Sequence, residues 1–311
     1  MQVFHGIEAV RRKLKNPAIT IGNFDGVHKG HQALFQKVKQ WAEQLNGQSA
    51  VMTFDPHPLQ VLFPEQAPSF ITSHLKKLDL IASCGIDAAI VVPFDREFAR
   101  MSALEFVEVL LVEKIGVKAI IVGDDYRFGH SREGDIALLK RFGEQFGFKV
   151  EMVSGVRVND TVVSSTAIRQ MISTGDVKGA NKLLGRLFEV NGTVIAGRRR
   201  GVTLGFPTAN IRMPAMASPR TGVYVVEAEV EGKTYGGAAN LGYNPTFGDT
   251  DLSLETHLFN FDLDIYGKPI TIRFIDRLRD EVRFSGPEEL ARQIAKDVAD
   301  AKEVLKRQAT R

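Results

Sequence analysis

Two histidines, three residues apart around a glycine, stand in GNFDGVHKGH, residues 22–31 of a 311-residue chain with seven histidines in all. The apolar run AITI (18–21) precedes this segment and an amphipathic pattern follows it. A strand that gives way to a helix through glycines leaves free backbone N–H groups and the positive end of a helix dipole at the turn. That is a natural phosphate site. Gly22 and Gly26 let the backbone turn sharply, and Gly30, one turn into the helix, leaves room for a ligand. His28 and His31 share a helix face, so both can donate N–H bonds to a triphosphate and steady the charge that grows during phosphoryl or nucleotidyl transfer. The plain alternative is a solvated surface pair. A metal site is a second alternative, but the spacing lacks the i, i+4 register and the intervening carboxylate of H-E-x-x-H. No G-x-G-x-x-G follows a strand, and the only GKT (232–234) has Glu227 where a P-loop needs its first glycine. Any ATP chemistry here therefore proceeds without a Walker A loop.

Other segments carry similar chemistry. VGDDYRFGHSREGD (122–135) follows the apolar run KAIIV and offers Arg127, Arg132, Tyr126 and Phe128, suited to a phosphate beside a flat ring; its plain reading is a polar turn. SSTAIR (164–169) opens a helix with three hydroxyl residues, ordinarily caps, and places Arg169 four residues after Ser165, where both can clamp a phosphate. GRRRGVTLGFPTAN (197–210) has three arginines among glycines, usually a solvated charge run, and then Thr208 and Asn210. These two neutral oxygen ligands suit Mg²⁺ held mostly by substrate phosphates. Glu255 and His257 share one face of the strand-like SLETHLFNFD; a carboxylate there can take a proton from an attacking hydroxyl, although a strand glutamate is more often merely solvated.

The elements that must position these residues change rhythm along the chain. AITI (18–21), SAVMTF (49–54), AAIVV (88–92), KAIIV (118–122) and FKVEMV (148–153) read as strands. Leu34, Val38, Trp41 and Leu45 form one helical stripe, Ser102 and Glu105 a capping box, and EGDIALLKRFGEQFG a further helix. The alternation predicts an α/β fold with a parallel sheet and helices on both faces. From about residue 188 to 280 the helical period disappears. EVNGTVIAG, GVYVVEAEVEGKTYGGAANLG, SLETHLFNFDLDIYG and KPITIRFIDRL read as strands, VEGKTY as a tight hairpin and NFDLDIYG as a strand with one wet face. A small antiparallel β-barrel is expected, closed by a C-terminal helix with a capping box at Ser285 and Glu288 and a stripe of Leu290, Ile294, Val298 and Leu305. The boundary is placed near 186, giving domains 1–185 and 186–311.

Composition sets limits on partners. Hydrophobic residues make up 44% and charged residues 25%, the balance of a soluble globular protein. Formal net charge is +3, split as +1 for residues 186–311 and +2 for the remainder, so no basic domain invites a nucleic acid. A nucleic-acid-binding barrel built on Arg198–Arg200 is the non-enzymatic alternative, and that neutral balance argues against it. No run approaches the roughly 18 apolar residues of a membrane span. With one cysteine, Cys84, and no signal-peptide pattern at the N-terminus, a cytoplasmic location without a membrane partner is expected.

Taken together and in order, GNFDGVHKGH, FDPHP (54–58), GDDYRFG (123–129) and SSTAIR resemble the adenylyltransferase module of bacterial bifunctional riboflavin kinase/FAD synthetases. GFPTAN, GVY (222–224), NLGYNPTF (240–247), LETHLFNFDLDIYG (254–267) and RLRDEVRF (277–284) resemble the riboflavin kinase module of the same enzymes. The resemblance covers nearly the whole chain. It implies a Rossmann-like nucleotidyltransferase domain followed by the kinase barrel, with riboflavin, FMN and ATP as small-molecule substrates and Mg²⁺ as cofactor.

It further implies that His28 and His31 stabilise transition-state charge while Gly22, Asn23, Phe24, Asp25, Gly30, Ser164, Ser165, Thr166 and Arg169 hold ATP. Phe54, Pro56, His57, Asp125, Arg127 and Phe128 would lie near the flavin. In the barrel it implies Glu255 as base, Thr208 and Asn210 at Mg²⁺, and Gly197, Arg198, Gly205, Pro207, Asn240 and Arg279 around ATP or flavin. One departure is visible: Asp125 and Tyr126 stand where many members have Asn and Phe. A nucleotidyltransferase for another phosphorylated metabolite, with a barrel that only binds, is the alternative enzyme reading.

Overall fold

The computed structural model describes residues 1–196, 205–243 and 252–309. It separates into two compact units, Met1–Ser165 and Thr166–Arg311.

The first unit is built on a six-stranded parallel sheet. Its strands are β1 (Gln2–His5), β2 (Ala18–Ile21), β3 (Ser49–Asp55), β4 (Ala88–Pro93), β5 (Ala119–Gly123) and β6 (Lys149–Val153), in the spatial order β1-β4-β3-β2-β5-β6. The four residues of β2 are all buried, which is why they read as one apolar run. The edge strand β1 was not expected; it pairs with β4 through four residues.

Short helix α1 spans Ile7–Val10, α2 Lys29–Gln44, α3 Pro58–Leu62 and α4 His74–Ser83. α5 runs from Ala103 to Glu105 and continues as a π-helix to Ile115, and α6 spans Ile136–Phe146. Phe35, Val38 and Ile81 of α2 and α4 pack on one face of the sheet; Leu110, Leu111 and Leu139 of α5 and α6 pack on the other. The expected capping box at Ser102 and Glu105 forms. Chain order runs outward from β2 through β3 to β4, then returns to the other side of β2 at β5. Ligands of such sheets bind at the carboxyl ends of the strands that flank this reversal.

A two-stranded ribbon, β7 (Arg157–Val158) with β8 (Thr161–Val162), leads to α7 (Ser165–Thr174) and α8 (Val177–Leu184). The second unit then forms the expected antiparallel barrel from β9 (Phe188–Thr193), β10 (Ala209–Arg212), β11 (Gly222–Val230), β12 (Lys233–Tyr243), β13 (Leu252–Leu258) and β14 (Pro269–Arg279). The order is β10-β13-β12-β11-β14-β9, and a bridge between Ile195 and Asn210 joins the two ends. Phe188, Tyr224 and Phe274 pack ring against ring in the barrel core. The predicted hairpin is present: Glu231 and Gly232 both take positive φ between β11 and β12, as a two-residue turn requires.

Helix α9 (Pro287–Ala309) covers part of the barrel through Val298, Val304 and Leu305. Two expectations are corrected. Ser285 bonds through its N–H and its hydroxyl to Glu289, not Glu288. NFDLDIYG is not a strand: β13 ends at Leu258, Asn260 takes positive φ, and the Asp264 carboxylate accepts the N–H of Tyr266. Alternation satisfied the strand pattern, but the turn at Asn260 and the Asp264 side chain took the backbone out of the sheet.

Candidate active sites

The turn after β2 lies where the sheet topology directs a ligand. Gly22 still bonds to β3 through Met52 O, at 3.0 Å. The chain then reverses through positive φ at Phe24, Gly26 and Val27. Gly26 is boxed in at this conformation, since a Cβ there would stand 3.1 Å from Ile71 Cδ1. Phe24 is buried and packs edge-on against His31 and Phe35.

Asp25 is also buried, and its carboxylate accepts the N–H groups of Ile71 and Thr72 at 3.0–3.2 Å. That carboxylate anchors the turn to the segment before α4.

His28 is the N-cap of α2. Its Nδ1 accepts the His31 N–H at 3.4 Å, which leaves Nε2 to carry the proton of the neutral ring. The two imidazoles stack with centroids 3.6 Å apart. His31 Nδ1 is buried without a hydrogen-bond partner among the described residues. Burial first, then the charges of His28 and Lys77, push the His31 pKa well below the ordinary histidine value, so this ring is neutral. A Cβ on Gly30 would lie 3.1 Å from the His28 ring and 3.5 Å from Val163 O. Ser165 Oγ donates to Asp25 O at 2.9 Å, which ties the start of SSTAIR to the histidine turn. Ser164 precedes it, while Thr166 and Arg169 belong to the second unit.

The expected flavin residues gather at the carboxyl ends of β3 and β5. Phe54 contacts Phe94 and Phe98, Phe98 contacts Phe106, and Phe106 contacts Phe128, which stacks on Tyr126. Burial raises the Tyr126 pKa, so its hydroxyl stays protonated. Phe94 and Phe98 went unnoticed because they lie in a segment with no motif. Pro56 is exposed; His57 caps α3 by accepting the Leu59 N–H at 3.1 Å. Asp125 is exposed, and Arg127 pairs with Asp135 at 3.3 Å.

In the second unit, register places Asn210 opposite Glu255 and Glu255 opposite Asn240. Directly opposed residues share a sheet face, so these three side chains form one row across β10, β13 and β12. Glu255 is half-buried in that row. Asn210 is buried; its Nδ2 donates to Thr208 Oγ1 at 3.3 Å, while its Oδ1 has no hydrogen-bond partner among the described residues. A buried, unpartnered amide oxygen beside a hydroxyl suits a hard cation, so the donors fit Mg²⁺.

Pro207 and Thr208 also line a cleft of about 260 Å³ whose other wall is Phe261 to Tyr266, the segment expected to be a strand. His257 Nδ1 lies 2.9 Å from Pro207 O. Gly205 is exposed. Arg279 forms a two-pronged ion pair with Asp297 of α9, Nε–Oδ1 2.9 Å and Nη2–Oδ2 2.6 Å. Gly197 and Arg198 lie outside the described residues.

Residues 10–167 match the family model described as FAD synthetase, and residues 184–305 the one described as riboflavin kinase. A bifunctional riboflavin kinase/FMN adenylyltransferase from Haemophilus influenzae is 38% identical over 97% of this chain and 98% of its own length. The protein of that description from Escherichia coli K12 is 39% identical over 97% of each chain. The chain belongs to the bifunctional riboflavin kinase/FMN adenylyltransferase family.

A solved structure titled as a macrolide-efflux protein from Streptococcus pneumoniae superposes with a TM-score of 0.85 at 32% identity, over 96% of this chain and 97% of that one. Among the described residues no helix is long and apolar enough to cross a membrane. Within this family frame, Asp25, Arg127 and Arg279 are among the expected ligand contacts whose charged groups are engaged by the protein itself.

Proposed function

We propose that the family's two reactions are divided between the two units, the barrel phosphorylating riboflavin and the parallel-sheet unit adenylylating FMN. The chain is a riboflavin kinase and FMN adenylyltransferase: it makes FMN from riboflavin and ATP, then FAD and pyrophosphate from FMN and a second ATP. The observation that carries the division is the placement of the chemistry. The paired histidines lie in the first unit, and the Asn210–Glu255–Asn240 row lies in the second.

In the kinase, Glu255 takes the proton of the ribityl hydroxyl as its oxygen attacks the γ-phosphorus of ATP and ADP leaves. Thr208 and Asn210 hold Mg²⁺, which when bound withdraws charge from the phosphates. ATP enters the cleft between Pro207–Thr208 and Phe261–Tyr266, with Gly205 beside it, and Asn240 orients the flavin side of the row. Arg279, held by Asp297, shapes the flavin end rather than meeting a phosphate as a free charge.

In the adenylyltransferase, an FMN phosphate oxygen attacks the α-phosphorus of ATP and pyrophosphate leaves. That phosphate is already ionised, so no base is needed. His28 and neutral His31 donate N–H bonds to the charge that grows at phosphorus. Gly22, Asn23 and Gly30 admit ATP, with Ser164 and Ser165 on its phosphates. Phe24 and Asp25 hold the turn in shape. Phe54, Pro56, His57 and Phe128 take the flavin, with Asp125 and Arg127 at its rim.

The activities meet at 185/186. The two family models end at 167 and begin at 184, which supports that boundary. The site is cytoplasmic, with small molecules and no nucleic acid as partners.

The test is a crossed pair of variants incubated with riboflavin or FMN, ATP and Mg²⁺, with flavins resolved by chromatography. Glu255→Gln is expected to stop FMN formation and still convert added FMN to FAD. His28→Ala is expected to do the reverse. Loss of the same step in both variants would overturn the division.

A further inference from the structure

Lys77, on α4, is only 8% exposed, a rare position for a lysine. Its Nζ donates to Thr53 Oγ1 at 3.0 Å, and that hydroxyl donates in turn to Asn23 O at 3.2 Å. Thr53 is fully buried on β3. An ammonium, a hydroxyl and the carbonyl of the second residue of the histidine turn are thus linked in series.

Among the described residues the ammonium makes only this one hydrogen bond. Buried donors rarely stay unmatched. The nearby carboxylates are otherwise engaged: Asp25 binds the N–H groups of Ile71 and Thr72, and Asp55 lies 3.7 Å from His74. Burial lowers the Lys77 pKa from the ordinary lysine value, while Asp55 and Asp25 pull it back up and favour the charged form. Its charge reaches His31, where it favours the neutral ring.

We propose that Lys77 is a positioning residue of the adenylyltransferase site, fixing the Asn23 carbonyl through Thr53 and supplying the buried positive charge that draws the phosphate groups of ATP and FMN onto the histidine turn. The proposal rests on reading that turn as the adenylyl-transfer site. It assigns the work of attraction and the work of transition-state bonding to different groups: a buried lysine behind the turn and the two imidazoles at its face.

The experiment compares Lys77→Met, Lys77→Arg and His31→Ala in the full chain. FAD formation from FMN is measured with inhibition by pyrophosphate and by adenosine, under excess Mg²⁺, and riboflavin phosphorylation is followed alongside. Lys77→Met is expected to lower kcat/KM for FAD formation about a hundredfold. It should weaken pyrophosphate inhibition at least tenfold, leave adenosine inhibition within twofold, and spare riboflavin phosphorylation. Lys77→Arg should recover most of the loss.

If His31→Ala keeps forming FAD, the reading of the turn fails and the Lys77 proposal with it. If His31→Ala is inactive while Lys77→Met stays within threefold of the parent protein, only the Lys77 proposal falls. The same holds if the loss in Lys77→Met comes with unchanged pyrophosphate inhibition. Should Lys77→Met fail to fold, Thr53→Val decides: a tenfold loss with normal adenosine inhibition supports the link, and an unchanged rate removes it.

Discussion

His28 caps the helix that carries His31: its Nδ1 takes the His31 N–H at 3.4 Å and the two rings stack at 3.6 Å. The same imidazole that ends the backbone turn therefore sets the height and tilt of its partner. Gly30 sits between them with little room for a methyl group, since a Cβ there would stand 3.1 Å from the His28 ring.

Gly30→Ala tests that spacing. Gly30 is the second residue of α2, where alanine gives up less chain entropy than glycine, so the fold should hold. The added methyl pushes the His28 ring and fills the approach to the turn. FAD formation should fall about a hundredfold with thermal unfolding unchanged or raised and riboflavin phosphorylation intact. Normal FAD formation would show that the close approach is dispensable.

The neutrality of His31 has a pH signature. Its folded-state pKa lies below the unfolded value, so the unfolded chain binds more protons as pH falls below the ordinary histidine range. The stability it contributes is complete above about pH 6.5 and declines with falling pH, by at most about 1.4 kcal/mol per pH unit. Chemical unfolding of His31→Gln between pH 7.5 and 5 should show a shallower decline than the parent protein. An identical slope would place the titration elsewhere.

The Asn210 oxygen predicts a metal effect confined to one activity. Asn210→Ala removes the unpartnered Oδ1 and leaves the backbone bridge to Ile195 in place. The Mg²⁺ concentration for half-maximal riboflavin phosphorylation should rise at least tenfold, while the Mg²⁺ dependence of FAD formation stays put. A parallel shift in both activities would point to a general loss of ATP affinity.

Arg279 and Asp297 form a mostly buried pair that Gln293 also joins, through Nε2 to Asp297 Oδ1 at 2.9 Å. Asp297→Ala leaves the guanidinium without its carboxylate and should cost about 3 kcal/mol in denaturant unfolding of the barrel unit. The double variant Arg279→Met/Asp297→Ala should regain part of that loss. Equal losses in single and double variants would mean that the damage comes from packing alone.

Legibility followed burial and locality. β2 to β5 were readable because strands covered on both faces become continuous apolar runs, whereas QVFH of β1, an edge strand, carries no such run. NFDLDIYG shows the opposite failure, a period-two pattern whose Asn and Asp residues took the backbone out of the sheet and into the wall of a cleft.

The histidine turn was legible because its glycines, histidines and flanking elements are contiguous in sequence. Asp25 and Arg279 were visible as residues but not as occupied ones, since their partners lie 46 and 18 positions away. Lys77 had no local signal at all; a lysine in an amphipathic helix looks solvated until Thr53 is brought beneath it.

The barrel has one seam. Every other pair of neighbouring strands is laced through at least four residues, but among the described residues β9 and β10 are hydrogen-bonded only where the Ile195 N–H reaches Asn210 O, at 2.8 Å. The residue whose side-chain oxygen is buried without a hydrogen-bond partner among the described residues is thus also the one whose main chain fastens the cylinder. The Ile195 amide, by the rate at which it gives up its hydrogen to deuterated water, is therefore a gauge of how tightly that closure is shut.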